Sequence, residues 1–303
     1  EEGDTTKAKR ERTRVNWLEN NEKFYVTKRD SRKVKDLWVI NVLKNPRPEL
    51  ETYKYAMPGD EFVPQTELWV FDVNDKEGVE IQTEKYKDQT LSVFPIKERS
   101  DEIYFVRQDR TCAIKDVCLA NTSTGETREL FSETDEPYWN WEYSRLYVVN
   151  EGNDLIWWSE RTGWGQFYLY DNEGTMKKQI TQGNFIAGNI TRIDTVGREF
   201  FFNAHGKEQG IDPYYSMYYK VSFDGGEMQL MTPEDATHSI SVAKSNDYFV
   251  DNYSRADLAP KSVLRNAKGE LLLDLEETDL RRLYETGWQM PERVKVKAVD
   301  GVT

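Results

Sequence analysis

Apolar residues along the chain fall in short runs that are separated by polar turns. In one such region, residues 155–159 and 167–170 have the aromatic and β-branched composition that suits a half-buried strand. The turn between them holds Gly163 and Gly165, which are free to take positive φ. The run 176–181 follows after a second turn. The pattern therefore predicts a three-strand antiparallel meander.

This strand-and-turn pattern recurs six times, and each copy ends in Asp or Asn. The terminal residues are Asn41, Asp72, Asn121, Asp171, Asp224 and Asn266. Apart from the first interval, their spacing is close to the ~40–50 residues expected of propeller blades. We therefore predict an all-β fold, a β-propeller of about six blade units, each a four-stranded antiparallel sheet.

The two ends of the chain are predicted differently from its middle. Residues 1–14 are charged and lack apolar periodicity, which indicates a charged tail or loop. Residues 15–290 form the predicted propeller domain, and residues 291–303 form a predicted exit strand. Because the chain lacks an initial Met and stops at a turn signal, we expect a piece of a longer protein.

Two local elements within the domain are also predicted. Residues 23–28 and 36–41 are expected to pair as a hairpin around the charged turn between them. Residues 278–284 are expected to form a helix, because their apolar positions share one face and Gly287 follows.

Composition and charge exclude several classes of protein. The chain has 303 residues, 38% hydrophobic and 13% aromatic, which favours a folded β protein over disorder. Its net charge of −13 disfavours binding to nucleic acid, which needs a basic surface. No apolar run approaches the ~20 residues that span a membrane. The charged first residues do not resemble a signal peptide.

No catalytic residue, metal ligand or cofactor site is predicted. The chain has two histidines, His205 and His238, and both are interpreted as turn or capping residues. Together with Cys112 and Cys118 they lack zinc-ligand spacing, and no calcium-binding or phosphate-binding loop is found. A hairpin disulfide between the cysteines is one alternative; burial of Cys118 as a small apolar residue is the favoured one.

Two charged turns are candidate substrate-binding sites. Glu160 and Arg161 could form a pair at the rim of a propeller opening, but an ion pair that fixes their own hairpin is the favoured interpretation. Arg29 and Arg32 flank Asp30 and leave the same two alternatives open. An arginine held by an aspartate can present its guanidinium to a peptide carboxyl or carbonyl group.

Several motifs carry a resemblance to a known family. They are 158–164 (WSERTGW) with 168–170 (YLY), 230–234 (LMTPE) with His238, 249–254 (FVDNYS), 53–59 (YKYAMPG), and the segments 289–292 and 298–301. In order and spacing, over about residues 15–303, they resemble the β-propeller domain of the dipeptidyl peptidase IV branch of the prolyl oligopeptidase family of serine peptidases.

The resemblance implies an eight-bladed propeller and an exit strand that leads into an α/β-hydrolase domain. That domain carries the family's Ser, Asp and His, and no Gly-x-Ser-x-Gly elbow occurs in this chain. The family also has paired glutamates that hold the N-terminal amine of the substrate, and no residues of this sequence can be aligned with them. By resemblance, Trp139 and Trp141 lie in a loop that contributes to the substrate cleft; burial between blades is the alternative.

The resulting hypothesis is a substrate-gating and peptide-orienting domain of a serine exopeptidase, inactive without its catalytic domain. Expected partners are a peptide substrate, the C-terminal hydrolase domain of the same parent chain, and a second copy paired through exposed strand edges. The resemblance implies export to the periplasm or cell surface. Two alternatives stay open: a peptide-binding or scaffold propeller of a catalytically degenerate paralogue, and an unrelated protein-interaction propeller.

Overall fold

A computed structural model describes residues 13–86, 88–138, 140, 145–299 and 301. Twenty-two strands occur within these residues, with one short α-helix, α1 (Arg281–Tyr284), and one 3-10 turn at Asn150–Gly152. The strands of the first part are β1 (Asn16–Trp17), β2 (Lys23–Asp30), β3 (Asp36–Asn41), β4 (Glu49–Lys54), β5 (Gln65–Asp72), β6 (Glu77–Glu80), β7 (Gln89–Pro95), β8 (Glu102–Asp109), β9 (Ile114–Asn121) and β10 (Thr127–Thr134).

The remaining strands follow the same short-strand pattern. They are β11 (Leu146–Val149), β12 (Asp154–Ser159), β13 (Gln166–Asp171), β14 (Met176–Gln179), β15 (Ile186–Asp194), β16 (Glu199–His205), β17 (Met217–Ser222), β18 (Gln229–Leu230), β19 (Thr237–Val242), β20 (Tyr248–Arg255), β21 (Leu258–Asn266) and β22 (Leu271–Glu277).

The described strands form five four-stranded sheets and one two-stranded hairpin. The sheets have the orders β1-β2-β5-β6, β10-β9-β8-β7, β11-β12-β13-β14, β15-β16-β17-β18 and β19-β20-β21-β22, and the hairpin is β3-β4. Short turns join most consecutive strands, so their pairing is antiparallel. The predicted four-stranded antiparallel repeat is confirmed, and its six copies correspond to five such sheets and one hairpin.

The predicted hairpin between residues 23–28 and 36–41 is wrong. β2 pairs with β5 along its whole length, whereas β3 pairs with β4. β5 supplies the fully buried Leu68 and Val70, and Phe24 of β2 stacks on Phe71 at 5.3 Å. Residues of β4 are all exposed. The irregular first interval of the sequence repeat arises because Asn41 ends an inserted strand instead of a strand of a four-stranded sheet.

The C-terminal part differs from expectation as well. α1 is a single exposed turn inside the longer predicted helix. Within the predicted exit strand, 291–303, the described residues 291–299 and 301 form no strand. Val294 and Val296 are largely exposed, and no described strand lies beside them to complete a ladder. The proposed domain limits at 14 and 290 stay predictions.

The described residues divide into two compact units. The first contains the sheets β1-β2-β5-β6 and β7–β10 with the β3-β4 hairpin, and the second contains the sheets β15–β18 and β19–β22. The strands of the sheet β11–β14 are divided between the units. Each unit is built on its own apolar packing.

In the first unit, Leu68, Val70, Ile103 and Phe105 form one buried cluster. Burial of side chains of this size contributes about 1.5–3 kcal/mol each. Such clusters explain why β5 and β8 lie inside their sheets.

In the second unit, the ring of Phe167 packs edge-on against Phe200 and Phe202, at 5.3 and 5.7 Å between centroids. The turn before it requires two glycines for different reasons. Gly163 has φ +84, as predicted, whereas Gly165 allows close approach: a Cβ there would lie 2.1 Å from the Trp158 ring. Trp158 in turn donates its indole N–H to the Ala187 carbonyl at 2.6 Å.

Candidate substrate-binding cleft

A cleft of about 380 Å³ opens in the first unit where the end of β2 meets the starts of β5 and β7 and the end of β8. Strand register brings its walls together, since Arg29 pairs with Thr66 and Gln89 pairs with Asp109. The lining residues are Arg29, Val63, Pro64, Thr66, Asp88, Gln89, Thr90, Leu91, Gln108, Asp109, Arg110 and Cys112. This volume is at the lower end of the range for small-molecule sites.

The turn between β8 and β9 forms one wall of the cleft and is fixed by Asp109. One carboxylate oxygen accepts the backbone N–H groups of Ala113 and Ile114 at 3.0 and 2.8 Å, and the other accepts that of Thr111 at 3.1 Å. Burial opposes ionisation, but the hydrogen bonds from the Thr111 hydroxyl and from these backbone N–H groups prevail and lower the pKa of Asp109. Cys112 has φ +62, so the tight turn holds its exposed thiol at the cleft.

Arg110 connects this wall to the end of segment 53–59, one of the motifs that carry the family resemblance. Its guanidinium donates to the carbonyl groups of Asp60 and Met57 at 2.8 and 3.1 Å, and to the Asp88 carboxylate at 3.2 Å. The Met57 N–H and the Lys35 ammonium lower the pKa of the Asp60 carboxyl. Arg110 is therefore a structural clamp whose donors are largely in use.

Arg29 differs from its charged neighbours. Lys28 pairs with Glu67 at 2.9 Å and Arg32 pairs with Asp30 at 2.6 Å. Arg29 lines the cleft and is exposed, and its side chain makes no hydrogen bond or ion pair with any residue that the structure describes. Its guanidinium is thus available to a ligand in the cleft.

Arg32, the second arginine predicted in this turn, does not line the cleft. Its guanidinium binds the Asp30 carboxylate with two parallel hydrogen bonds, and its backbone N–H adds a third at 2.9 Å. The Arg32 side chain, followed by this N–H, holds the pKa of Asp30 well below its usual range. Asp30 lines a smaller neighbouring cavity of about 240 Å³ with Lys33 and Phe62.

Glu160 and Arg161 belong to the second unit and lie on the turn between β12 and β13. Arg161 donates its backbone N–H and Nε to the Ser159 hydroxyl at 3.1 and 3.0 Å, and its guanidinium lies 4.3 Å from the Tyr168 ring centroid. The Glu160 carbonyl accepts the Gly163 N–H at 2.7 Å. These contacts are those of a turn that stabilises its own hairpin. Trp139 and Trp141 lie outside the described residues.

The sequence did not reveal a buried ionic network in the last sheet. His238 Nδ1 lies 2.9 Å from Asp251, and Nε2 lies 3.0 Å from the Glu234 carbonyl. The Arg265 guanidinium binds Asp251 at 3.0 Å and Glu234 at 2.6 Å. His238 is therefore a buried partner within a strand, in contrast to the predicted turn or capping residue.

This network brings three potential metal-ligand atoms, from Glu234, His238 and Asp251, within 4.8 Å of one another. The Arg265 guanidinium already lies against both carboxylates and supplies the positive charge that a cation would bring. Arginine does not give up its proton in proteins. The charge arrangement therefore suits an ion-pair network better than a metal centre.

Comparison with known proteins identifies the family of this chain. Residues 10–260 match the family model described as the dipeptidyl peptidase IV (DPP IV) N-terminal region. The chain belongs to this family. The resemblance seen in the sequence motifs is thereby confirmed, and the repeated four-stranded sheets are the blades of a β-propeller of the DPP IV N-terminal type.

Two solved bacterial structures show the same fold. One is dipeptidyl peptidase 4 of Porphyromonas gingivalis, with a TM-score of 0.76 and 19% identity, covering 90% of this chain and 38% of that one. The other is a putative dipeptidyl aminopeptidase IV of Bacteroides ovatus, with a TM-score of 0.77 and 19% identity, covering 95% and 43%. This DPP IV-family chain therefore spans about two fifths of either protein. In its described part, no helix has the length and apolar character to cross a membrane.

Proposed function

We propose that this chain is the substrate-gating and peptide-orienting propeller of a dipeptidyl peptidase IV-like serine exopeptidase. The family match over residues 10–260, together with the β-propeller fold, carries this proposal. Radially arranged blades would surround an opening that admits short or unfolded peptides and excludes folded proteins. The catalytic Ser, Asp and His would come from an α/β-hydrolase domain of the same natural protein.

Within this function, the cleft-lining Arg29 is the best supported peptide contact, because its guanidinium is unpaired among the described residues. Arg32, Glu160 and Arg161 are weaker candidates: Arg32 is engaged by Asp30 and Arg161 by its own hairpin. The proposed contacts of Trp139 and Trp141 rest on the sequence resemblance alone.

Hydrolysis of Gly-Pro-p-nitroanilide by the complete natural protein and by the 303-residue chain tests the proposal. We expect release of p-nitroaniline by the complete protein alone, because the chain contains no serine elbow. Activity of the isolated chain would mean that it holds its own catalytic site. A complete protein that binds the peptide without cleaving it would instead be the scaffold of the degenerate-paralogue alternative.

Gating is tested separately, with an unfolded peptide and a folded protein that begin with the same dipeptide. The complete protein should release the dipeptide from the unfolded peptide and leave the folded protein intact. Equal release rates from both substrates would contradict gating while leaving the exopeptidase activity in place.

We also propose that the natural protein is exported to the periplasm or cell surface. The support is the sequence resemblance to exported bacterial peptidases. Fractionation of the native host cells should find it outside the cytoplasm, and recovery with cytoplasmic markers would contradict the proposal.

Self-association is a further part of the proposed function. The β3-β4 hairpin has an exposed apolar face with Trp38, Ile40 and Leu50, which are 72%, 64% and 65% exposed. No third described strand pairs with either of its edges. We propose that two copies cover this face in a homodimer.

A further inference from the structure

We infer that the cleft beside Arg29 binds a carboxylate group joined to an apolar side chain. In a peptidase domain, the ligand that combines these two features is the C-terminal residue of a short peptide. This identification of the ligand as a peptide rests on the proposed function, whereas the carboxylate site itself rests on the cleft.

The formal charges of the cleft balance, with two arginines and two aspartates, but the pairing of these groups leaves the Arg29 guanidinium without a partner among the described residues. The two aspartates are already engaged: Asp109 accepts the N–H groups of its own turn, and Asp88 accepts from Arg110 at 3.2 Å. The other hydrogen bonds of the Arg110 guanidinium go to two backbone carbonyl groups. Arg29 alone among the cleft-lining cations of the described chain has all of its donors available.

Arginine is suited to this ligand because its planar fork of N–H donors matches the two oxygens of a carboxylate. A backbone carbonyl of a peptide would satisfy only part of that fork. A cationic ligand would be repelled by Arg29 and would find both cleft aspartates already occupied. The observed chemistry therefore favours an anionic ligand group.

Apolar side chains beside Arg29 complete the site. Val63, Pro64 and Leu91 line the same cleft and offer a surface for an aliphatic group. Burial of apolar area gives affinity, and the charged group fixes orientation. A volume of about 380 Å³ is sufficient for a terminal residue and its neighbour, but small for a folded segment.

N-acetyl-L-leucine and N-acetyl-L-leucinamide test the inference, because they share the side chain and differ in the carboxylate. Ligand-observed NMR with the 303-residue chain measures their binding. We expect the acid to bind more tightly than the amide. R29Q should weaken binding of the acid about fivefold, or about 1 kcal/mol, the upper value for an exposed ion pair.

Lys28→Gln is the matched control for R29Q. It removes the same charge from the adjacent position of β2, but Lys28 pairs with Glu67 and does not line the cleft. Binding of the acid should be unchanged in K28Q. Thermal unfolding of both variants shows that the fold is retained.

Alkylation of Cys112 shows whether the ligand binds in the cleft, because the exposed Cys112 thiol lines the cleft while Cys118 is fully buried. N-acetyl-L-leucine should slow alkylation of Cys112 by iodoacetamide, as measured by intact mass, and the amide should slow it less. Protection that R29Q removes and K28Q retains would support the site.

The inference is overturned if neither compound binds, if the acid and the amide bind equally, or if R29Q behaves as K28Q does. Failure of this kind leaves the proposed exopeptidase function standing, because Gly-Pro-p-nitroanilide has no free carboxylate for the cleft to bind.

Discussion

At the scale of single residues, two aspartates buried in these sheets are each held by several partners. Asp116 of β9 accepts from Arg107 at 2.8 Å, Lys85 at 2.9 Å and the Tyr86 hydroxyl at 3.0 Å. Asp251 of β20 is likewise bound by His238 and Arg265. Loss of one partner from such a group leaves an uncompensated buried charge, which costs more than the pair contributes.

Asp251→Asn should therefore destabilise the chain by about 3 kcal/mol, the lower value for breaking a buried ion pair. The substitution preserves size and removes the charge that faces Arg265, whose side chain is 3% exposed. Urea unfolding followed by tryptophan fluorescence measures the loss. Asp224→Asn is the control, because its exposed carboxylate pairs with Arg198 at 3.5 Å and should matter little. Equal unfolding midpoints for the two variants would contradict the prediction.

Lys115 of β9 should make the free energy of unfolding depend on pH, and the direction of its pKa shift gives the sign. Its side chain is buried, and this burial lowers its pKa to about 8 from an ordinary 10.5. Because the unfolded chain binds this proton more tightly, protonation favours unfolding below the ordinary pKa. The contribution of Lys115 to stability therefore rises as the pH rises from about 7 towards 10.5. From the two pKa values, the gain between pH 7 and pH 9 is about 1 kcal/mol.

Lys115→Met isolates this contribution from that of other titrating groups. At pH 7 the variant should be more stable than the wild type by up to about 3 kcal/mol, because it removes the cost of a buried charge. The difference between the two proteins should narrow by about 1 kcal/mol at pH 9. Urea unfolding at both pH values measures it. A difference that does not change with pH would contradict the depressed pKa.

At the scale of elements, the sequence predicted the strands well where a local pattern determines them. The runs that became β8, β12, β13 and β16 are largely apolar, as is the second half of β9, and they are bounded by turn residues and buried on both sides. The composition of such a run reports burial directly. The strand that pairs with such a run is usually the next one along the chain, so the order of strands within each meander could be predicted as well.

The pairing of β2 could not be predicted, because it depends on a choice between two distant partners. β3 and β5 have similar composition, with Trp38-Val39 in one and Trp69-Val70 in the other. Only the packed structure shows that β5 supplies the buried side chains, while the intervening residues form a separate hairpin. An inserted hairpin satisfies the same strand pattern as a blade strand, and pattern alone does not separate them.

The sequence did not predict the cleft, for a related reason, and named only one of its lining residues, Arg29, whose binding role stays a prediction. Arg29 and Arg32 were equal candidates in the sequence, since both flank Asp30. The local hydrogen bonds that engage Arg32 span two residues, but those that shape the cleft join Arg110 to Asp88, Met57 and Asp60 across tens of residues. Which cation is left without a partner is a property of the assembled sheets.

At the scale of the whole molecule, net charge and exposed apolar surface have opposite effects on the association of two copies. The net charge of −13 keeps copies apart at low ionic strength. The exposed face of the β3-β4 hairpin favours association, and its register places Trp38, Ile40, Leu50 and Thr52 on that one face. A two-stranded hairpin is marginally stable alone, so covering this face would stabilise the hairpin as well as the dimer.

Multi-angle light scattering over a range of concentration and salt should therefore show a monomer-dimer equilibrium. Salt screens the repulsion between negatively charged copies, so the dimer fraction should rise with ionic strength. The double variant Trp38→Ser, Ile40→Thr removes most of the apolar face and should stay monomeric. Val39→Thr is the control, because Val39 projects from the opposite face of the same strand and pairs with Glu51. A monomeric wild type at every concentration and salt level, or a double variant that associates equally, would show that this hairpin does not join two copies.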